Sequence, residues 1–223
     1  TPLGTNPNFK PIDDPAALEA YRRRRGLPDR FFVSVIRYDP RKNFKNLIAA
    51  FRLLRRRTPC KLVVTGIGCE KYRAEYRLDD DGTAEDVQFL GWVEPAELPL
   101  LYNLAHGLFF PSVYEEFGIP VCEAMACGCP PVVSQTGALP EVAGDAGLIV
   151  DPFHPPAMAE ALDGKGIVFS RKPNPNLLGV EAAFDEEAWA AEIRSTLDAT
   201  AGRAVPVEFV VRDVYSMHGN LAK

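Results

Sequence analysis

The stretch LFFPSVYEEFGIPVCEAMACGCPPVVS, residues 108–134, holds a complete strand–helix–strand unit. LFFPS at 108–112 and PPVVS at 130–134 are short apolar runs of strand length. Between them, IPVCEAMACG at 119–128 reads as a short helix, with Pro120 near its first turn and Gly128 as its stop. Two buried strands joined through a helix form a crossover, which makes them parallel neighbours in one sheet.

The same alternation extends outward. Towards the N-terminus, FFVSVI at 31–36, KLVVTG at 61–66 and VQFLG at 87–91 read as buried strands. Phe44, Leu47, Ile48, Phe51 and Leu54 recur at helical spacing over 43–57, with Asn43 placed to cap the start. Leu98, Leu101, Tyr102 and Ala105 share one helical face over 95–105. Towards the C-terminus, GLIV at 147–150 is a strand and PPAMAEALDG at 155–164 a helix. The pattern predicts an α/β fold: a doubly wound, mostly parallel Rossmann-like sheet with helices on both faces, over residues 31–163. Residues 1–30 read as a linker and an N-terminal helix ending at Gly26. Residues 164–223 read as a partly helical extension, with an amphipathic helix at 184–200 and an alternating strand at 205–213.

Composition narrows the class. Hydrophobic residues make up 47% of the 223 and charged residues 25%, enough for a packed core. Acidic residues number 30 and basic residues 25, a net charge of −5, which argues against a nucleic-acid binder. No apolar run approaches the ~20 residues that span a bilayer, and no signal peptide opens the chain. The first residue is Thr, so the chain reads as a piece of something longer. Five cysteines, an odd number, read as reduced thiols of a cytosolic protein. The spacing of Cys122, Cys127 and Cys129 matches no common zinc motif, so small buried thiols are the better reading. The arginine runs at 22–25 and 55–57 read as solvated helix faces. His106, His154 and His218 are isolated and take no catalytic role.

In a doubly wound sheet, ligands gather beyond the carboxyl ends of the strands. Arg37 follows FFVSVI and Lys42 precedes the next helix, two cations that suit a diphosphate beside a positive helix terminus. Taken alone, RYDPRK reads as a solvated loop of charges. Gly66 and Gly68, in GIG, allow close backbone approach. The dinucleotide fingerprint needs a third glycine at position 71, which is Lys, and this counts against a nicotinamide enzyme. Glu115 and Glu123 flank Phe117-Gly118-Ile119-Pro120, a glycine-led helix start whose free N–H groups suit a phosphate. Either carboxylate alone reads as a surface residue; together they suit sugar and ribose hydroxyls.

These segments resemble, in order, the signature of the family-four retaining nucleotide-sugar glycosyltransferases, which carry two Rossmann-like domains across a cleft. SVIRYDPRKNFKNLIAAF resembles the phosphate-binding strand–loop–helix, and LVVTGIG and VQFLGWV the strands beside the base pocket. PSVYEEFGIPVCEAMACGCPPVVS resembles the paired-glutamate motif, and TGALPEVAGDAGLIVDP the segment after it. The resemblance implies that Arg37 and Lys42 clamp the donor diphosphate, that Glu115 contacts the donor sugar and that Glu123 holds the ribose. Backbone N–H groups at Gly118 and Ile119, after Phe117, would meet sugar or phosphate oxygens, and the backbone near Trp92 and Val93 would read the base. It implies a nucleotide-sugar donor as substrate, no cofactor and no metal, because the cations supply the electrostatic stabilisation.

Glu116 departs from the pattern, since a small residue is usual there. The opening TPLGTNPNFKP resembles the junction between the family's two domains. The chain is therefore expected to be the C-terminal, donor-binding half, with an N-terminal acceptor-binding domain as its missing partner. The expected location is cytoplasmic, with peripheral contact of the full protein at the inner membrane face. Two other functions compete: an inert nucleotide-sugar-binding module, and a nucleotide-sugar epimerase on a similar fold. The pair Glu115 and Glu123 disfavours the epimerase, and transfer activity would separate the other two.

Overall fold

In the computed structural model, residues 6–163 are described; the helix expected at 184–200 and the strand at 205–213 lie outside them. The apolar runs form β1 (Phe31–Val35), β2 (Lys61–Thr65), β3 (Val87–Gly91), β4 (Gly107–Phe110), β5 (Pro131–Ser134) and β6 (Leu148–Val150). They make one sheet in the order β3-β2-β1-β4-β5-β6, with every pairing parallel. Every residue of β4 and of β5 is buried, which is why neither shows polar alternation.

The helices are α1 (Pro15–Arg25), α2 (Phe44–Leu54), α3 (Lys71–Glu75), α4 (Leu98–Leu104), α5 (Ile119–Ala126), α6 (Leu139–Ala143) and α7 (Pro155–Asp163). They pack in two groups, α2 with α7 on one face, and α1, α4, α5 and α6 in succession on the other. Phe44, Leu47, Ile48, Phe51 and Leu54 of α2 all enter the core. Burying side chains of this size contributes about 1.5–3 kcal/mol each.

Asn43 departs from expectation. It precedes α2 but makes no side-chain cap bond, because its backbone sits in the left-handed region at φ 58°. Its amide instead donates to the carbonyls of Pro111 (3.0 Å) and Pro152 (2.7 Å). It ties together the segments that follow β4 and β6, and the helix starts without it.

The segment ahead of β1 joins the same core. Phe9, Tyr21 and Leu27 are buried, and the Ile12 N–H donates to Asn103 Oδ1 of α4 at 2.9 Å. Asp14 caps α1 through a bond from the Ala17 N–H, and Gly26 ends it at φ 60°, where glycine carries no steric cost. Phe9, Tyr21 and Leu27 belong to the same core cluster as the strands and α2. All five cysteines are buried. Burial pushes Cys60, Cys69 and Cys122 up to about 11 and Cys127 to about 12, so they are inert at neutral pH. No helix of the described residues is long and apolar enough to cross a membrane.

Candidate functional site

The strand order reverses between β1 and β4, where the chain winds outward in opposite directions. In doubly wound sheets, ligands bind beyond the carboxyl ends of the strands at such a switch point. The loop after β1 and the loop after β4 meet there. The Val113 N–H donates to the Arg41 carbonyl at 2.9 Å, beside the Asn43–Pro111 bond. Lys42 Nζ donates to Glu115 Oε1 at 2.5 Å, and also stands 5.2 Å over the Phe110 ring. Both partners are mostly buried, with 15% and 16% of their side chains exposed. The cation and the carboxylate singled out in separate stretches of sequence are thus in direct contact.

Asp39 shapes the β1 loop. Its carboxylate accepts from the Arg41 N–H at 2.9 Å and from Arg41 Nη2 at 2.8 Å, closing a helical turn over Pro40–Lys42. It also accepts from Arg37 Nη2 at 3.1 Å. The Arg41 bonds, then Arg37, hold the Asp39 carboxyl well below the usual range. Arg37 is 59% exposed, so its guanidinium is open to a ligand while Asp39 steadies it. Tyr72 of α3 braces the loop from below. Its hydroxyl accepts from the Asp39 N–H at 3.0 Å and donates to the Arg37 carbonyl at 3.1 Å. Its ring stacks on Phe44 at 4.1 Å, with only 2° between the planes.

Gly66 is required by the chain itself. At φ 134°, a Cβ there would lie 2.2 Å from the Ile36 carbonyl oxygen. The GIG turn therefore packs directly under the start of the Arg37 loop. Gly66→Ala is expected to destabilise the fold by about 3 kcal/mol. At roughly 2–4 °C per kcal/mol in a chain of this size, a thermal melt would drop by about 6–12 °C. An unchanged melt would show that the turn relaxes freely. Gly68 sits beside it at φ 73°, in the same turn.

The β4 loop is braced from the other side. The Ser134 hydroxyl donates to the Ser112 carbonyl at 2.5 Å, and the Ala138 N–H to the Glu115 carbonyl at 3.2 Å. A Cβ on Gly137 would meet that same carbonyl at 2.6 Å, so the loop after β5 presses against the Glu115 backbone. Gly118 precedes α5 at φ 94° and packs on Leu139. Phe117 is half-buried and Ile119 exposed. Glu123 projects from α5, where Tyr102 of α4 donates its hydroxyl to Oε2 at 3.2 Å. Burial pushes the Glu123 carboxyl up to about 7, against the opposing effect of the Tyr102 bond. After β3, Trp92 is 56% exposed with its indole N–H on Glu94 Oε1 at 3.2 Å, and Val93 is buried.

Arg37, Lys42, Glu115 and the 117–119 backbone thus border the switch point, Gly66 and Gly68 support it, and Trp92 and Val93 follow β3. Sequence reading passed over Asp39, Tyr72 and the tether role of Asn43. Asp39 did carry a signal, since Asp before Pro with its side chain on the next free N–H is a turn former. Tyr72 carried none, because its role depends on where α3 docks.

A family profile described as "Glycosyl transferases group 1" matches residues 19–164. O-antigen chain mannosyltransferase B of Escherichia coli is 42% identical over 117 residues, covering 51% of this chain and 31% of that protein. The chain thus spans less than half the length of this relative. Among solved structures, the C-terminal domain of the glycosyl transferase group 1 family protein LpcC from Francisella tularensis aligns with a TM-score of 0.61 at 24% identity. That alignment covers 72% of this chain and 86% of that one. HepE from Anabaena, solved in complex with UDP and glucose, aligns with a TM-score of 0.67 at 22% identity, over 88% of this chain and 55% of that one.

Proposed function

The chain belongs to the group 1 glycosyl transferases, and from that premise we propose that it is the nucleotide-sugar-binding half of an enzyme that transfers a sugar with retention at the anomeric carbon. The observation that carries this is the contact between Lys42 and Glu115 at the β1/β4 switch point, with Arg37 on the same loop. The donor diphosphate lies against Lys42 and Arg37. As the anomeric C–O bond breaks, negative charge grows on the leaving diphosphate, and these two fixed cations stabilise it. Glu115 steadies Lys42 and presents its second oxygen to hydroxyls of the donor sugar. Glu123 accepts from the ribose, and the base lies by the Trp92–Val93 backbone. An acceptor-binding domain outside this chain completes the cleft. The buried thiols suit a reducing compartment, the cytoplasm. The UDP in the HepE complex supports a nucleoside diphosphate as the core of the ligand.

The test compares affinities for UDP and UDP-glucose, and for GDP and GDP-mannose, by calorimetry. Glu123→Ala is expected to weaken diphosphate and conjugate alike, by about tenfold, as loss of a charged hydrogen-bond partner does. Glu115→Ala is expected to weaken the sugar conjugate more than the bare diphosphate. Equal losses for both ligands in Glu115→Ala would remove it from the sugar site.

A further inference from the structure

Tyr102 lies on α4, on the apolar face that reads as plain core, and it is 1% exposed. A phenol buried so deeply needs a partner for its O–H, and it donates to Glu123 Oε2 at 3.2 Å. Glu123 Oε1 makes no bond to the described residues, so one oxygen is held by the fold and the other is left to a ligand. Glu123 itself is partly buried on α5, whose neighbours hold little charge. β4 and β5 carry no titratable side chain, α6 carries only the exposed Glu141, and α4 only Tyr102. On α5 and just after it stand three buried thiols, Cys122, Cys127 and Cys129, the first two held neutral by burial. No cation of the described residues is paired with Glu123 by a salt bridge.

We propose that Tyr102 is a positioning residue for nucleotide recognition: its hydroxyl fixes the Glu123 carboxylate in rotamer and charge so that the free oxygen accepts from a ribose hydroxyl. The proposal rests on the reading of Glu123 as the ribose contact. A carboxylate that receives the phenol bond is turned the right way before the ligand arrives, and its ionised form is favoured. Without that bond, burial alone acts on the carboxyl, and it both rotates and protonates more readily.

The test uses the 223-residue chain, UDP and GDP as ribose probes, and their 2′,3′-dideoxy counterparts, which lack the hydroxyls but share the phosphate titration. The ratio of the two affinities isolates the ribose contact from the diphosphate. In the unaltered protein this ratio is expected to favour ribose and to rise with pH through about 7, as Glu123 ionises. Tyr102→Phe keeps the ring and its packing. It is expected to cut the ribose preference about tenfold and to move the midpoint of the pH profile upward, while dideoxy affinity stays constant. Glu123→Gln should abolish the pH dependence in both backgrounds. A Tyr102→Phe protein with the original ratio and midpoint overturns the positioning role while leaving the ribose reading of Glu123 intact. An unaltered protein with no ribose preference, or with no binding of either ribonucleotide, overturns the ribose reading and the proposal with it.

Discussion

Lys42→Ala is expected to weaken binding of a nucleoside diphosphate by about a hundredfold, more than any other single change at the switch point. A charge-assisted hydrogen bond contributes about 1.5–3 kcal/mol, and that much is lost with the ammonium. A second cost adds to it. Glu115 is 16% exposed and Lys42 is its ion-pair partner. Removing the cation leaves a half-dried carboxylate facing an incoming dianion, and like charges repel most strongly where water is scarce. Arg37→Ala should cost less, on the order of tenfold, because Arg37 is more exposed and Arg41 remains on the same loop. The double change Lys42→Ala with Glu115→Ala separates the two costs. It should bind the diphosphate better than Lys42→Ala alone, since the stranded carboxylate is gone. Calorimetry with UDP and GDP measures all four proteins. Equal affinities for Lys42→Ala and the unaltered chain would sink the diphosphate clamp.

The contrast between what the sequence shows and what it conceals follows from how each feature is built. Strand and helix positions were legible because each is set by a local period: uninterrupted apolar runs for buried parallel strands, and the spacing from Phe44 to Leu54 for α2. Arg37, Lys42, Glu115 and Glu123 were legible as residue types after strands, a placement that a doubly wound sheet converts into one crevice. The bonds among them were not. Lys42 and Glu115 are 73 residues apart, and no local pattern specifies a pairing across that distance. Asn43 is the converse case. Its type and position matched a helix cap, but two carbonyls from distant loops compete for its amide, and a left-handed backbone lets it reach both. Tyr102 shares a helical face with Leu98, Leu101 and Ala105, a spacing that reads as core, and its ring does lie in the core. Only the docking of α5 on α4 shows that its hydroxyl has a different task.

The 223-residue chain by itself is expected to transfer sugar at least a thousandfold more slowly than a longer protein that includes an acceptor-binding domain. On the proposed reading, the described residues supply the donor's diphosphate, ribose and sugar contacts, all at the carboxyl edge of one sheet. Holding two reactants in register accounts for roughly 7–11 kcal/mol of a transfer barrier. A site that positions the donor alone forgoes most of that. The edge is also open. Tyr38, Ile67, Trp92, Tyr114 and Ile119 expose large apolar surface around it. Closing a second domain over the edge would cover that surface and expel water, which strengthens the field that Lys42 and Arg37 direct at the leaving group. With the edge uncovered, water both screens the two cations and competes as acceptor, so the expected residual activity is slow donor hydrolysis. A radiolabelled-donor assay follows sugar release and sugar transfer separately, for this chain and for the longer protein, across a panel of acceptors. Release without transfer in the short chain is the expected outcome. Transfer within tenfold of the longer protein would mean that these 223 residues hold the acceptor themselves, and the donor-half reading would fall.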